Sequence, residues 1–407
     1  MKVLQINAVC GIRSTGRICV EIADYLNNYC YEGYIAYSYG LPYKREYKIG
    51  TPFEIKLHSL LSRVFGLQAY FSKHGTLKLI KYMRKIKPDV VHLHNLHGNY
   101  INLKLLLTYL AQNNIPTVLT LHDCWFYTGK CCHYTIEKCY KWQSGCFNCP
   151  RIFRDNPSWF LDRTKKTYKN KKEWFQKIPR LAVVGVSDWI TSEARKSFLS
   201  NANILTRIYN WIDLDVFRPV DTVALRHKLT LENKFVILGV ASEWNDAKGI
   251  NKFIELSAKI PKCMIIIIVG NIPTNLELPG NIIHIQETHD VRELVEYYSL
   301  ASVFLNLSAE ETFGKVSAEA LACGTPVIAY RSTANPELVG EGCGYIVENR
   351  DIDSIYDAIL KVHKRDKKYY SENCIAFAKA KFNKENRIAD YAKLYQELLN
   401  LTIRRSR

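Results

Sequence analysis

The chain has 407 residues, of which 47% are hydrophobic and 23% are charged, as in an ordinary globular protein of one or two domains. Its longest unbroken apolar run, residues 263–269, is far shorter than the roughly 20 residues of a membrane-spanning helix. Residues 1–9 form a short apolar stretch without a signal-peptide cleavage pattern. We therefore expect a cytoplasmic protein with reduced cysteines.

The net charge of +17 is confined to one half of the sequence. Residues 1–213 contain 31 lysines and arginines against 14 aspartates and glutamates, whereas residues 214–407 contain 25 of each. Such a basic half indicates an anionic partner, which could be a lipid surface, a phosphorylated acceptor or a nucleic acid.

A glycine-containing turn follows the first predicted strand, residues 3–7, and precedes a helix patterned by Ile18, Ile22 and Leu26. Glycine in such a turn allows a phosphate or a sugar to approach the backbone. A plain strand–helix turn would have the same sequence, and the full G-x-G-x-x-G dinucleotide fingerprint is absent.

Residues 56–87 contain eight basic side chains and no acidic one, with leucines, a valine and a phenylalanine at helical spacing. This pattern predicts a basic amphipathic helix that binds an anionic membrane surface. A domain helix with a solvated basic face is the alternative.

Two of the next predicted strands carry histidines. Residues 88–94 contain His92 and His94, with His97 just beyond, and residues 117–123 end in His122 and Asp123. Because the first three histidines have no acidic or cysteine partner adjacent to them, we expect no metal there. His122 stands where the carboxyl end of a strand meets ligands, although a structural hydrogen bond would also explain it.

Six of the 13 cysteines lie between positions 124 and 149. Four of them have the spacing C-x7-C-x6-C-x2-C, and a close C-x2-C pair is the usual nucleus of a tetrahedral zinc site. The predicted ligands of a structural zinc are Cys131, Cys139, Cys146 and Cys149. Cys124, Cys132 or His133 could replace one of them, and free cysteines without metal remain the alternative.

Alternating strand and helix patterns predict two Rossmann-like α/β domains. Residues 1–213 form the first domain, with the cysteine-rich insertion near residues 124–150. Residues 214–380 form the second, which begins at an apolar strand, residues 235–241, ahead of Lys248. Residues 381–407 carry an amphipathic helix pattern.

Residues 303–330 predict a strand, a polar loop, a helix over residues 315–323 and a second strand from residue 327. Glu311 lies in the loop and Glu319 in the helix. The amides at the helix start suit a phosphate, and the two carboxylates suit sugar hydroxyls, as a nucleotide sugar requires. A solvated glutamate pair beside an ordinary helix start is the alternative.

The stretch ETFGKVSAEALACGTPV, residues 311–327, resembles the signature of the family 4 retaining glycosyltransferases of the GT-B fold. STGRI, residues 14–18, is similar to the N-terminal glycine loop of bacterial colanic-acid-type glycosyltransferases, and PDVVHLHN, residues 88–95, to a strand of the same family. The resemblance implies two Rossmann-like domains that face each other across a cleft, with the C-terminal helix crossing back to the first domain. The first domain and its cysteine-rich insertion would be on the acceptor side.

The resemblance also implies residue roles. Glu311 would contact the donor sugar, Glu319 the ribose hydroxyls, and His122 the donor sugar from the first domain. Lys248 would bind the diphosphate, but Glu243 stands where the family usually has a second cation, an arginine. The other candidates for donor binding are Gly16, Arg17, Phe313, Gly314, Lys315 and Val316.

The expected function is retaining transfer of a sugar from a nucleoside diphosphate sugar to a glycan or lipid-linked acceptor, in bacterial surface polysaccharide synthesis. We expect a peripheral location at the inner face of the membrane, no catalytic cofactor and no nucleic acid partner. Two other hypotheses are a basic zinc-knuckle nucleic-acid-binding protein, which lacks the usual RNA- or DNA-binding patterns, and a GT-B sugar-nucleotide epimerase or phosphorylase.

Overall fold

The structure, a computed structural model, describes residues 1–288, 290–348 and 350–401. The chain divides into two compact units. Unit 1 is Met1–Ile208 together with the segment from Ile388 onward, and unit 2 is Tyr209–Arg387. The boundaries thus fall at residues 208 and 387, against predicted boundaries at residues 213 and 380.

Unit 1 is built on a parallel seven-stranded sheet with strand order β3-β2-β1-β4-β5-β6-β7. The strands are β1 Lys2–Cys10, β2 Glu32–Gly40, β3 Glu46–Lys48, β4 Val90–Leu93, β5 Thr117–Leu121, β6 Leu181–Gly185 and β7 Ile204–Arg207. The helices are α1 Arg13–Asn28, α2 Pro52–Phe65, α3 Lys73–Ile86, α4 Leu103–Gln112, α5 Thr164–Gln176 and α6 Asp188–Arg195. Short 3-10 helices occupy Lys141–Gln143 and Phe198–Asn201.

Unit 2 repeats this design with a parallel six-stranded sheet of order β10-β9-β8-β11-β12-β13. The strands are β8 Phe235–Glu243, β9 Met264–Asn271, β10 Ile282–Ile285, β11 Val303–Asn306, β12 Val327–Tyr330 and β13 Gly344–Val347. The helices are α7 Val223–Lys228, α8 Ile250–Ser257, α9 Val291–Leu300, α10 Lys315–Ala322, α11 Ile352–Arg365 and α12 Lys367–Phe382. Helix α13, Lys384–Asn400, begins in unit 2 and belongs to unit 1 from Ile388 onward. Short 3-10 helices occupy Asp246–Lys248 and Asn335–Leu338.

Both sheets have the doubly wound arrangement predicted from the alternating patterns. The central strands are near-continuous apolar runs because a parallel sheet is covered by helices on both faces. Every residue of β5, β6 and β12 is buried, for example. The predicted class, two Rossmann-like α/β halves, is confirmed, and in each half the strand order reverses beside the first strand of the sheet.

Helix α13 begins in unit 2, and its last part packs against the sheet of unit 1. The Tyr395 hydroxyl lies 2.7 Å from His92 Nδ1, and the Tyr391 hydroxyl lies 3.1 Å from Thr120 Oγ1. These tyrosines are fully buried beside β4 and β5. The return of the C-terminal helix to the first unit is therefore as predicted.

The cysteine-rich insertion joins β5 to α5. Within residues 122–163, all of which the structure describes, the 3-10 turn Lys141–Gln143 is the only regular helix or strand. Its core is aromatic, since Trp125, Tyr134 and Trp142 are at most 1% exposed. The insertion thus extends beyond the predicted residue 150, as far as the start of α5.

The basic segment at residues 56–87 forms two helices, because Gly66 ends α2 in the left-handed region with φ at 64°. None of the helices in the described part of the chain combines the length and hydrophobicity needed to cross a bilayer.

Candidate active site

In unit 2 the loops that follow β8 and β11 leave the sheet side by side. These strands are neighbours although they are not consecutive in the chain, so the crevice beyond their carboxyl ends is the switch point at which doubly wound sheets bind ligands. The β8 loop carries Lys248, and the β11 loop carries Glu311. Both candidate residues therefore lie at the position that the fold reserves for a ligand.

Lys248 and Glu311 form an ion pair that joins the two loops. Lys248 Nζ donates to Glu311 Oε1 at 2.5 Å, and the backbone N–H of Lys248 donates to the side-chain oxygen of Asn245 at 3.1 Å. The lysine side chain is 37% exposed, so the pair adds little to stability. Its ammonium group remains accessible to an anionic ligand that competes with Glu311.

Gly249 allows the two loops to touch. Its φ is 85°, and a Cβ atom there would lie 2.8 Å from Leu307 Cβ and 2.9 Å from Leu307 O. Only glycine adopts this conformation and tolerates the approach without strain. The Lys-Gly dipeptide therefore sets the position of the lysine relative to the β11 loop.

The first turn of α10 directs backbone amides toward the same loop. Gly314 precedes the helix with φ at 87°, and a Cβ atom there would lie 2.9 Å from Leu338 Cδ1. The N–H of Ser317 is bonded to Gly314 O at 3.0 Å, so the amides of Lys315 and Val316 lie ahead of the first intrahelical bond. This end of the helix carries a partial positive charge that suits a phosphate.

Phe313 has a structural role that its place in the motif does not reveal. The ring is 2% exposed and packs edge-on against Phe382, with ring centroids 5.4 Å apart, and against Tyr209. Its side chain therefore anchors the loop in the core of unit 2, which leaves only its backbone for a donor.

Glu319 lies on α10, one turn after Lys315, and is 8% exposed. Tyr298, on α9, donates its hydroxyl to Glu319 Oε2 at 3.0 Å. Burial and the neighbouring Glu319 raise the pKa of Tyr298 well above its usual value, so the tyrosine stays a hydrogen-bond donor. The sequence analysis did not identify Tyr298, because nothing in the α9 pattern distinguishes it from a core tyrosine.

A buried amide network fixes the β11 loop. Asn306 Nδ2 donates to Ser317 Oγ at 2.9 Å, and Asn306 Oδ1 accepts the N–H of Ser308 at 3.2 Å. Asn335 donates to Ser308 O at 3.3 Å. The signal for Asn306 was present in the sequence, as a polar residue that ends an otherwise apolar strand.

Glu243, which replaces the family's arginine, is exposed at the end of β8. Two other cations are near the β11 loop in the fold, one at the start of α10 and one, after β13, that contacts this loop. Lys315 is the first residue of α10, and Arg350 donates from Nη2 to Ala309 O at 3.3 Å. Both are therefore candidates for the second positive charge.

In unit 1, a hydrogen-bonded chain of polar side chains ends at His122. Gln5 Nε2 donates to Cys19 O at 2.7 Å, so Gln5 Oε1 accepts from His94 Nε2 at 3.1 Å. His94 Nδ1 must then accept from His122 Nε2 at 3.0 Å. This assignment leaves the Nδ1 lone pair of His122 as the acceptor of the ring.

Burial lowers the pKa of His122 to about 4, against an opposing effect of Asp123. The ring is therefore neutral near pH 7. His92 and His94 are fully buried, and burial lowers their pKa values well below the usual range. Both act as structural hydrogen-bonding residues, whereas His122 is partly exposed.

One premise of the sequence analysis was wrong. His97 was given no acidic or cysteine partner, but the fold brings Asp123 Oδ2 to 2.9 Å from His97 Nε2, and the Cys132 sulfur lies within 4.8 Å of both. Burial raises the pKa of Asp123, but the charge and hydrogen bond of His97 outweigh it and hold the value at about 2. His97 and Asp123 thus satisfy each other by a hydrogen bond.

Gly16 and Arg17 lie in the first turns of α1. Gly16 is buried, and a Cβ atom there would lie 3.1 Å from Val9 Cγ2 and 3.2 Å from the Gly11 nitrogen. Close packing of α1 on the end of β1 therefore accounts for this glycine. Arg17 is exposed and remains a candidate for an anionic ligand.

Family profiles match both halves of the chain. The profile described as Glycosyltransferase Family 4 matches residues 17–216, and the profile described as Glycosyl transferases group 1 matches residues 222–381. A putative colanic acid biosynthesis glycosyl transferase, WcaC of Escherichia coli K12, is 22% identical over 77% of this chain and 78% of its own length.

Other curated relatives match over shorter segments. N-acetyl-alpha-D-glucosaminyl L-malate synthase of Bacillus anthracis is 26% identical over 53% of this chain. The match covers 60% of that relative's length, and a match to a mycobacterial D-inositol 3-phosphate glycosyltransferase covers 36% of that protein.

Solved structures of other proteins superpose on almost the whole chain. Sucrose-phosphate synthase from Thermosynechococcus elongatus has a TM-score of 0.69 at 17% identity, over 97% of this chain and 98% of its own. Anabaena HepE in complex with UDP has a TM-score of 0.68 at 16% identity, over 98% and 100%. With profiles that together match most of residues 17–381, the chain belongs to the family 4 glycosyltransferases and has the GT-B fold.

Proposed function

We propose that this glycosyltransferase moves a sugar, with retention of its anomeric configuration, from a nucleoside diphosphate sugar to a glycan or lipid-linked acceptor in bacterial surface polysaccharide synthesis. The proposal is based on the groups that lie together at the switch point of unit 2, in the crevice beyond the carboxyl ends of β8 and β11. A lysine, the amides of a helix start and two carboxylates, Glu311 and Glu319, lie there on adjacent loops and one helix.

In the proposed reaction, Lys248 and the α10 amides bind the diphosphate. As the bond between the anomeric carbon and the diphosphate oxygen breaks, negative charge grows on that oxygen, and these donors stabilise it. The acceptor hydroxyl forms the new bond on the same face and gives its proton to the leaving diphosphate. Glu311 holds hydroxyls of the donor sugar and Glu319 holds the ribose, and His122 contacts the sugar, in the roles that the family resemblance implies.

Lys315 and Arg350 take the role of the missing arginine in this scheme. Glu243 is acidic and would repel a diphosphate, so the second positive charge has to come from another element. Lys315 is favoured, because it heads α10, where the free amides lie.

The comparisons support a nucleotide-sugar donor and a role in polysaccharide synthesis. HepE has been solved with UDP and with UDP-glucose, and the WcaC relative is named for colanic acid biosynthesis.

Product analysis tests the reaction type. Purified protein is incubated with UDP-, GDP- and ADP-sugars, with and without membrane extract as the source of acceptor, and the anomeric configuration of the product is read by NMR. Transfer with the donor's own configuration is expected. An inverted product, or conversion of the donor sugar without any acceptor, would contradict the proposal, and the second result is the one that an epimerase would give.

The proposal includes binding of unit 1 to an anionic membrane surface through α2. This helix buries polar residues, His58 and Ser62, and turns apolar ones outward. Phe53, Leu57 and Leu60, which recur at helical spacing, are 76%, 42% and 48% exposed. Exposed apolar side chains in such a stripe are unusual for a surface that faces only water.

The surroundings of this stripe are aromatic and basic. Trp159, in the insertion, donates its backbone N–H to Arg63 O at 2.7 Å and lies under the Arg63 guanidinium, while Phe160 is 73% exposed. Basic residues near an anionic leaflet contribute about 1 kcal/mol each. An apolar stripe flanked by cations fits a lipid surface better than it fits water.

Vesicle co-sedimentation tests the membrane proposal. The wild type should bind vesicles that contain phosphatidylglycerol and should be released by salt, because screening weakens the attraction. Replacing Leu57 and Leu60 with glutamate should abolish binding. Leu360→Glu is the matched control, since Leu360 is an exposed leucine, 38% accessible, on a helix of unit 2. Equal binding by both variants would refute the assigned face.

A further inference from the structure

The insertion between β5 and α5 is a long segment with almost no regular structure. Loops beyond about 12–15 residues are uncommon in compact domains unless something else orders them. Part of the order comes from Lys130, whose ammonium donates to the carbonyl oxygens of Arg151, Ile152 and Arg154 at 2.8–3.0 Å. The cysteines of the insertion indicate a second kind of cross-link between its separate parts.

Four cysteines from three separate parts of the insertion line one small cavity. Cys131, Cys139, Cys146 and Cys149 share it with the aromatic side chains of Tyr134, Trp142 and Phe147. The sulfurs of Cys131 and Cys149 lie 3.5 Å apart. Zn–S bonds of about 2.3 Å at tetrahedral angles put neighbouring sulfurs about 3.8 Å apart, so this pair already has nearly the required spacing.

We propose that Cys131, Cys139, Cys146 and Cys149 bind one zinc ion in a closed, structural tetrahedral site. The segment from Cys146 to Cys149 is shaped for this role, because Asn148 adopts φ at 45° and the chain bends there, between the two cysteines. Lys141 holds that turn through bonds to the carbonyl oxygens of Phe147 and Asn148.

Backbone contacts around the sulfurs match those that support thiolate ligands. The N–H of Gly129 donates to Cys146 Sγ at 3.2 Å. Asp162 Oδ2 accepts the N–H of Cys149 at 2.7 Å, while Asp162 Oδ1 accepts the N–H of Thr164 at the start of α5. Such outer contacts orient metal ligands, and here they tie the site to a helix of the sheet domain.

A second group of possible ligands, His97, Asp123 and Cys132, has three atoms within 4.8 Å of one another. Two of these three already satisfy each other by a hydrogen bond. The four-cysteine group has the full complement for zinc, although binding must draw the half-exposed Cys139 and the Cys146 sulfur inward to join the close pair.

The consequence for catalysis rests on the proposed function. The insertion begins at His122, directly after β5, so a zinc-ordered insertion would form one wall of the acceptor side of unit 1. The zinc would have no open coordination position and would take no part in the reaction.

Metal analysis of protein purified without added metal or chelator should find about one zinc per chain. Cys146→Ser/Cys149→Ser should lose it. Cys30→Ser is the matched control at an exposed cysteine, and Cys132→Ser tests the second group; both should keep the zinc. Zinc-free wild type, or loss of zinc from Cys132→Ser alone, would overturn the assignment.

Cobalt substitution of the wild-type protein keeps the test valid if the double variant does not fold. A tetrahedral four-thiolate site gives strong sulfur-to-cobalt charge-transfer bands, and their absence would overturn the proposal. A disulfide between Cys131 and Cys149, seen by mass spectrometry in place of zinc, would do the same. Zinc-loaded protein without transferase activity would instead count against the proposed function alone.

Discussion

Replacement of the two site glutamates should separate nucleotide binding from sugar transfer. In the proposed complex Glu319 accepts hydrogen bonds from the ribose hydroxyls, and hydrogen bonds to a charged group contribute about 1.5–3 kcal/mol. Since each 1.4 kcal/mol changes Kd about tenfold, Glu319→Ala should weaken binding of the nucleoside diphosphate by about ten- to a hundredfold. Glu319→Gln should weaken binding of the nucleoside diphosphate about tenfold, because a hydrogen bond to a neutral group contributes only about 0.5–1.5 kcal/mol.

Glu319→Gln also serves as a control for the loss of stability in Glu319→Ala. Alanine would leave the buried Tyr298 hydroxyl without its acceptor on Glu319, at a cost of about 1–3 kcal/mol in stability, whereas glutamine keeps an acceptor oxygen. The melting temperature of each variant is therefore measured alongside its affinity.

Glu311→Ala is the matched comparison on the same loop. It releases Lys248 from its ion pair, so affinity for the free nucleoside diphosphate should be unchanged or higher, while transfer should fall because the donor sugar loses a contact. Calorimetry with the nucleotide and a transfer assay give the two readouts. Equal losses of nucleotide affinity in Glu311→Ala and Glu319→Ala would refute the assigned roles.

Three further predictions follow from the same geometry. Lys248→Ala should weaken diphosphate binding in calorimetry, whereas Lys252→Ala, which removes a partly exposed lysine paired with Glu255, should not. Gly249→Ala should lower the melting temperature by the equivalent of about 1–3 kcal/mol, since its positive φ and its contact with β11 both oppose a Cβ atom, while Gly280→Ala, in open space, should be neutral. The folded-state pKa of His122 is lowered from 6.5 to about 4, so the unfolded chain binds a proton at this histidine more tightly than the folded chain does. The contribution of neutral His122 to the free energy of unfolding is therefore complete above pH 6.5 and is lost as the pH falls toward 4. Urea denaturation of the wild type and of His122→Gln should show a shallower pH dependence of stability in the variant.

Local signals in the sequence predicted the β11–α10–β12 unit closely. β12 occupies the predicted residues, and α10 begins at the predicted residue 315 and ends one residue early. Apolar runs bounded by Gly314, Gly324 and Pro326 leave few alternatives for strand and helix limits. The fold class followed from the same alternation.

Contacts between distant residues could not be predicted in this way. Tyr395 reaches His92 from 303 positions away, and Gln5 reaches His94 from 89 positions away. Asp123 meets His97 only because β4 and β5 are neighbours. The amphipathic pattern of residues 56–65 predicted a helix, but the burial of His58 and the exposure of Leu57 depend on what α2 packs against.

Nucleotide binding by the purified protein tests the central claim most directly. Melting temperatures are compared with and without UDP, GDP and ADP, and with a single-stranded RNA of similar charge. A nucleotide that binds only the folded state stabilises it by about 2.7 kcal/mol at a hundred times its Kd. We predict a rise with at least one nucleoside diphosphate. At the same concentration Glu319→Ala should reduce the stabilisation to about 0.4–1.4 kcal/mol, because a ten- to hundredfold weaker affinity leaves the nucleotide at only about one to ten times its Kd. Stabilisation by RNA and by none of the nucleotides would contradict the account.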